Sequence, residues 1–166
     1  MIHELDKILV CKKYESEKAN GFLPIKSIGG GDFFFCDQDD LDGNDYKQIN
    51  VAGVFTKNGR VVVTRDLYLP FTPVIDRDED FAFKKDNDSV MFQAAKRMMY
   101  EAKVDARFDD LRLIGSIDEN DSITYIYGAE IRGVNEGFEM HVLDATYLKK
   151  DTNIPQFTKD VVSAVC

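Results

Sequence analysis

Arg97 and Glu101 stand four residues apart in an apolar-periodic run, which puts a guanidinium and a carboxylate on one helical face. That spacing suits a helix-surface ion pair worth roughly a few tenths of a kcal/mol. A hard divalent cation needs several oxygen ligands. Further carboxylates precede this run at Asp76, Asp78, Glu79 and Asp80, and others follow at Glu119 and Asp121. Their spacing matches no metal motif, and charge runs of this kind are usually solvated faces. His3 and His141 are isolated, which leaves no imidazole pair for zinc and no evident histidine base. Ser116 follows Gly115 in LIGSID but lacks the second glycine of a nucleophile turn. Tyr125 and Tyr127 alternate onto one face of a strand, where they can stack on a base or face a core or a partner.

The element that must position Arg97 and Glu101 is the helical run over residues 88–105. Met91, Ala94, Ala95, Met98 and Ala102 form its apolar stripe; Gln93, Arg97, Tyr100 and Glu101 fall opposite, and Asp88 or Ser89 is placed to cap the first turn. Before it, residues 48–65 read as a β-hairpin closed by Thr56-Lys57-Asn58-Gly59, where Asn-Gly supplies positive backbone angles. Residues 66–83, with Pro70 and Pro73, read as a loop holding one short strand. Further strands are expected at 7–13, 111–117, 123–131 and 138–143, the last after a turn over 133–137, with an extended stretch at 21–28 interrupted by Pro24. Pro155, followed by Phe157, Val161, Val162 and Val165, starts a C-terminal helix. The class is α+β, one domain over residues 1–166, with a mixed sheet and two main helices.

The segment AAKRMMYEAKVDA resembles the Nudix helix, whose motif runs Gly, five residues, Glu, seven residues, then Arg-Glu-apolar-any-Glu-Glu-any-Gly-apolar. Arg97, Met99 and Glu101 keep the motif. The same register puts Phe83 at the first glycine, Ser89 at the first glutamate, Met98 and Ala102 at two metal-binding glutamates, and Val104 and Asp105 at its end. DYKQINVAGVFTKNGRVVVTRD and LRLIGSIDENDSITYIYGAEI are similar to the flanking strands of the MutT-like branch of predicted phosphoesterases, so the resemblance spans residues 45–132. It implies a Nudix-like α/β/α sandwich with a mixed sheet, a central helix near 89–103 and a C-terminal helix near 155–165. It also implies chemistry on nucleoside diphosphate derivatives, in which Mg²⁺ or Mn²⁺ held by glutamates neutralises the diphosphate and activates water. Glu101 is the residual carboxylate of that set; Met98 is a soft thioether and Ala102 no ligand.

Three functions follow as expectations. The first is a binding protein for a nucleotide or related phosphate compound that no longer cleaves it, using Arg97 and Arg65 as phosphate donors, Tyr125 and Tyr127 as stacking surfaces, and no metal or weakly bound Mg²⁺ or Mn²⁺. The second is a hydrolase with relocated ligands, and the third a protein-interaction or homo-oligomerisation module. A net charge of -9 argues against nucleic acid as the partner. Gly29, Gly30 and Gly31 are not followed by the Lys-Ser/Thr of a phosphate loop, and the acidic stretch 36–45 lacks the glutamate that closes a calcium loop. Cys11, Cys36 and Cys166 are odd in number and lack metal spacing, as in a reduced cytoplasmic protein. The charged N-terminal stretch reads as neither signal peptide nor membrane span.

Overall fold

The computed structural model of the chain describes residues 2–13, 21–43, 45–134 and 140–166. In chain order the elements are β1 (Ile8–Lys12), β2 (Phe22–Pro24), β3 (Phe34–Cys36), β4 (Tyr46–Lys57), β5 (Arg60–Thr64), β6 (Phe71–Pro73), α1 (Asp76–Phe81) and α2 (Asn87–Glu101). There follow β7 (Val104–Asp105), β8 (Arg112–Asp118), β9 (Ser122–Glu130), β10 (Gly133–Val134), β11 (Met140–Asp144), α3 (Ala145–Lys150) and α4 (Gln156–Val165). The main sheet runs β11-β5-β4-β9-β8-β2. β4 is its spine. One edge of β4 lies parallel to β9, from Gln48 opposite Ser122 to Thr56 opposite Glu130. The other edge is shared by three antiparallel strands, β1, β6 and β5.

β4 is buried without a break from Ile49 to Phe55 because both sheet faces are covered. Ile49, Val51 and Phe55, with Ile123, Tyr125 and Tyr127 of β9, face the Met/Ala stripe of α2. Ala52, Val54 and Ile126 point the other way, onto Leu148 of α3 and Val161 and Val162 of α4. The architecture is therefore the expected α+β sandwich with a mixed sheet. Among the described residues no helix is long and apolar enough to cross a membrane.

Local chemistry explains where elements turn. Lys57 pairs with Arg60 across Asn58 (φ 53°) and Gly59 (φ 76°), the two-residue hairpin turn expected from Asn-Gly. The cap of α2 lies earlier than Asp88 or Ser89: the Asp86 carboxylate accepts from the Ser89 N–H at 2.7 Å. Asp88 instead accepts from the backbone N–H groups of Ile28 (2.8 Å) and Gly29 (3.2 Å), stapling the glycine stretch to the helix. The short strand expected within 66–83 is β6, whereas helix α1 in the same stretch, helix α3 and the small β7–β10 pair depart from the sequence expectation, two-residue strands carrying no periodicity. The turn expected over 133–137 falls partly, and the strand start expected at 138 wholly, outside the described residues.

α2 ends at Glu101, two residues before the expected boundary, because Lys103 adopts a left-handed backbone (φ 56°). A side chain there costs about 1–2 kcal/mol, and glycine is the usual occupant. Lys103→Gly is expected to stabilise the fold by about 1 kcal/mol, read as a raised urea midpoint; an unchanged or lowered midpoint would refute a strained cap.

Candidate functional site

Arg97 projects from α2 toward β6 and α1, where the chain itself consumes its whole guanidinium. Its Nε–H and one Nη2–H donate to the two oxygens of Asp78 at 2.8 and 2.9 Å. Its other Nη2–H donates to the Pro73 carbonyl at 2.8 Å, and its Nη1 to the Thr72 hydroxyl at 3.0 Å and Glu101 at 3.3 Å. A guanidinium has five N–H donors, and five acceptors surround this one. Asp78, buried in the first turn of α1, also accepts from the Ile75 N–H at 3.0 Å. Arg97 is thus a brace joining α2, α1 and β6.

The metal implied by the resemblance finds a poor donor set. Met98 is 2% exposed, and its methyl lies so near Gly53 that a β-carbon there would sit 2.9 Å from it. Ala102 is buried and offers no ligand. Glu101 has a side chain 34% exposed and shares Arg97. Burial raises its carboxyl, but neighbouring positive charge, Arg97 included, outweighs this and holds it below the usual glutamate value. It opens onto a cleft of about 660 Å³ also lined by Tyr100, Lys103 and Asp105. Among the described residues no three histidines, cysteines or carboxylates converge as a metal site. A hard divalent ion does not fit the residues present.

The other expected contacts are dispersed. Tyr125 and Tyr127 are 8% and 2% exposed, layered under Phe33 and Phe92 at ring distances of 6.4 Å. Burial pushes both phenols above their ordinary value. Their exposed rim is too small to stack a base. Arg65 is exposed on the turn after β5, three residues before Tyr68.

A second cavity, about 380 Å³, lies where the starts of β4 and β9 meet the first turn of α4. Tyr68, Phe71 and Phe157 supply aromatic rings; Asn50, Thr124 and Gln156 supply amide and hydroxyl groups, and Glu119 a carboxylate. Tyr68 and Phe71 are tilted with centroids 6.4 Å apart. The buried Thr158 hydroxyl donates to the Leu67 carbonyl at 2.8 Å, which fixes α4 against the stretch carrying those two rings. Large apolar walls with a few convergent polar groups are the usual makings of a small-molecule site. The two closely spaced aromatics of LYLPF, Tyr68 and Phe71, are the available signal, hidden by their place in an acidic, proline-containing stretch.

A second ion pair ties the start of the chain to α1: Arg77 donates to both oxygens of Asp6 at 2.9 Å. Those hydrogen bonds hold the Asp6 carboxyl below the usual aspartate value against the opposing effect of burial. A depressed carboxyl contributes its full stability above the unfolded value of about 3.9 and loses it as pH falls through the folded value. Urea midpoints measured from pH ~6 down to ~3 are therefore expected to fall less steeply for Asp6→Asn than for the native chain. Parallel curves would show that the pair carries no linkage.

No protein-family model matches the chain, and no curated protein matches it in sequence. Among solved structures it is similar to the crystal structure of Tm1382, a candidate Nudix hydrolase, with a TM-score of 0.73. The match covers 96% of this chain and 97% of that one at 16% identity. Identity this low speaks for the fold alone, which is Nudix-like.

Proposed function

We propose that this chain is a Nudix-fold binding protein with a degenerate catalytic box, taking a nucleotide or related phosphate compound without efficiently hydrolysing it. The observation that carries the reading is the packing of Met98 against the Gly53 stretch of β4, which closes a position that the resemblance gives to a metal-binding glutamate. Binding is supported by the cavity of Tyr68, Phe71 and Phe157, whose rings suit an aromatic base and whose amides and hydroxyls suit its edge. Arg65, exposed on the turn leading into Tyr68, is the phosphate donor of this proposal, and Glu101 binds Mg²⁺ or Mn²⁺ no more than weakly.

Loss of even one well-placed electrostatic group commonly costs ~10²-fold or more in rate, and here two ligand positions are replaced. Titration calorimetry with nucleoside diphosphates, run beside a phosphate-release assay with Mg²⁺ or Mn²⁺, is expected to show binding without enzymatic turnover. Phe71→Ala is expected to weaken that binding ~10-fold. Metal-dependent turnover abolished by Glu101→Gln would overturn the reading in favour of a hydrolase. Neither binding nor turnover would leave an interaction module.

A further inference from the structure

The aromatic cavity beside β4, β9 and α4 holds two polar groups whose hydrogen-bonding capacity the chain leaves unused. Asn50 is 7% exposed, and its side-chain oxygen accepts from the Gln48 amide at 2.8 Å. That bond orients the Asn50 amide and leaves both Nδ2 hydrogens, which meet no acceptor among the described residues. Thr124, 4% exposed and opposite Asn50 on the parallel neighbour β9, likewise has a hydroxyl with no partner among them. Among the described residues no side-chain polar atom is both sealed from solvent and unpaired, so these two groups open onto the cavity that they line. A nearly buried donor without an acceptor is costly, and a ligand oxygen placed there removes the cost.

The cavity's other polar end has the opposite character. Glu119, in the turn before β9, lines it with a carboxylate that has no partner among the described residues. Ser122 lies between, ~6.6 Å back along β9 from Thr124. No lysine, arginine or histidine is among the lining residues, so this cavity suits the uncharged, donor-bearing end of a ligand and not its phosphates. The order is an amide donor, an adaptable hydroxyl, then an acceptor-only carboxylate, all beside aromatic rings. Guanine matches this order: its pairing edge runs from a carbonyl to a ring N–H and an amino group, and the last two can donate in parallel to one carboxylate. Adenine and cytosine would set a ring-nitrogen lone pair against Glu119, and uracil a carbonyl, each a repulsive contact. We propose that the cavity selects guanine nucleotides, Asn50 donating to the base carbonyl and Glu119 accepting from its two nitrogen donors; this rests on the nucleotide-binding reading above and deepens it.

Titration calorimetry of the native chain with guanosine, adenosine and inosine diphosphates tests this, the inosine compound being the guanosine one without its amino group. Guanosine diphosphate is expected to bind at least ~10-fold more tightly than either of the others. Glu119→Gln, a change at an exposed turn position, is expected to bring the guanosine-to-adenosine ratio close to one. Asn50→Ala is expected to weaken guanosine diphosphate at least ~10-fold. Equal affinity for guanosine diphosphate and either competitor overturns the guanine assignment while nucleotide binding stands, and so does a preference that survives Glu119→Gln or an affinity that survives Asn50→Ala. Failure of all three diphosphates to bind overturns the nucleotide reading itself, and the guanine assignment with it.

Discussion

Truncating Arg97 to alanine is expected to destabilise the fold by about 3–5 kcal/mol, the range for removing one partner of a buried ion pair. The cost arises mainly at Asp78, which is 2% exposed and would keep a buried carboxylate with one remaining donor, the Ile75 N–H. The Thr72 hydroxyl and the Pro73 carbonyl would lose a donor in the same step. Arg97→Lys should recover only part of this, because a single ammonium cannot fork to Asp78 and still reach β6. Guanidinium denaturation reads the effect, and a change below ~0.5 kcal/mol would contradict the brace. The loss should also reach the aromatic cavity: Thr72 and Pro73 adjoin Phe71, so a slack β6 misplaces one of its rings although Arg97 does not line it.

Met98→Glu is expected to cost several kcal/mol and to create no metal site. The new carboxylate would lie in the core between α2 and β4, close to Gly53 and in the same apolar cluster as Phe55. Burying an unpaired charge is among the few single changes that reach such magnitudes. An unchanged denaturation midpoint together with new Mg²⁺ binding would mean that Met98 borders an open cleft, and the binding-protein reading would lose its main support.

Elements with a strong period or a specific turn were legible in the residues themselves. The Met/Ala stripe placed α2, Asn58-Gly59 placed the hairpin, and the valines after Pro155 placed α4. What escaped reading was decided by distant partners. Nothing near Asp78 in the chain announces that it faces Arg97, nineteen residues on, so α1 passed as a solvated acidic loop. Tyr125 and Tyr127 show the alternation of a strand with one open face, and burial of both faces became evident only once Phe33 and Phe92 were seen above them. The cavity unites residues from four separate stretches between Asn50 and Phe157, a convergence no local pattern encodes. The left-handed turn at Lys103 was missed for a different reason: the residue normally found there, glycine, is absent.

The parallel ladder of β4 and β9 also bears on the order in which the fold assembles. Strand β4 joins residues 48–56 to residues 122–130, so its whole edge waits for chain made much later. Closing a loop of that length is entropically costly and slow. The hairpin with β5 and the Met/Ala face of α2 are both available sooner and can cover parts of β4 first. Until β9 pairs with it, the β9-side edge of β4 has its backbone amides unpaired, the kind of edge through which incomplete chains associate.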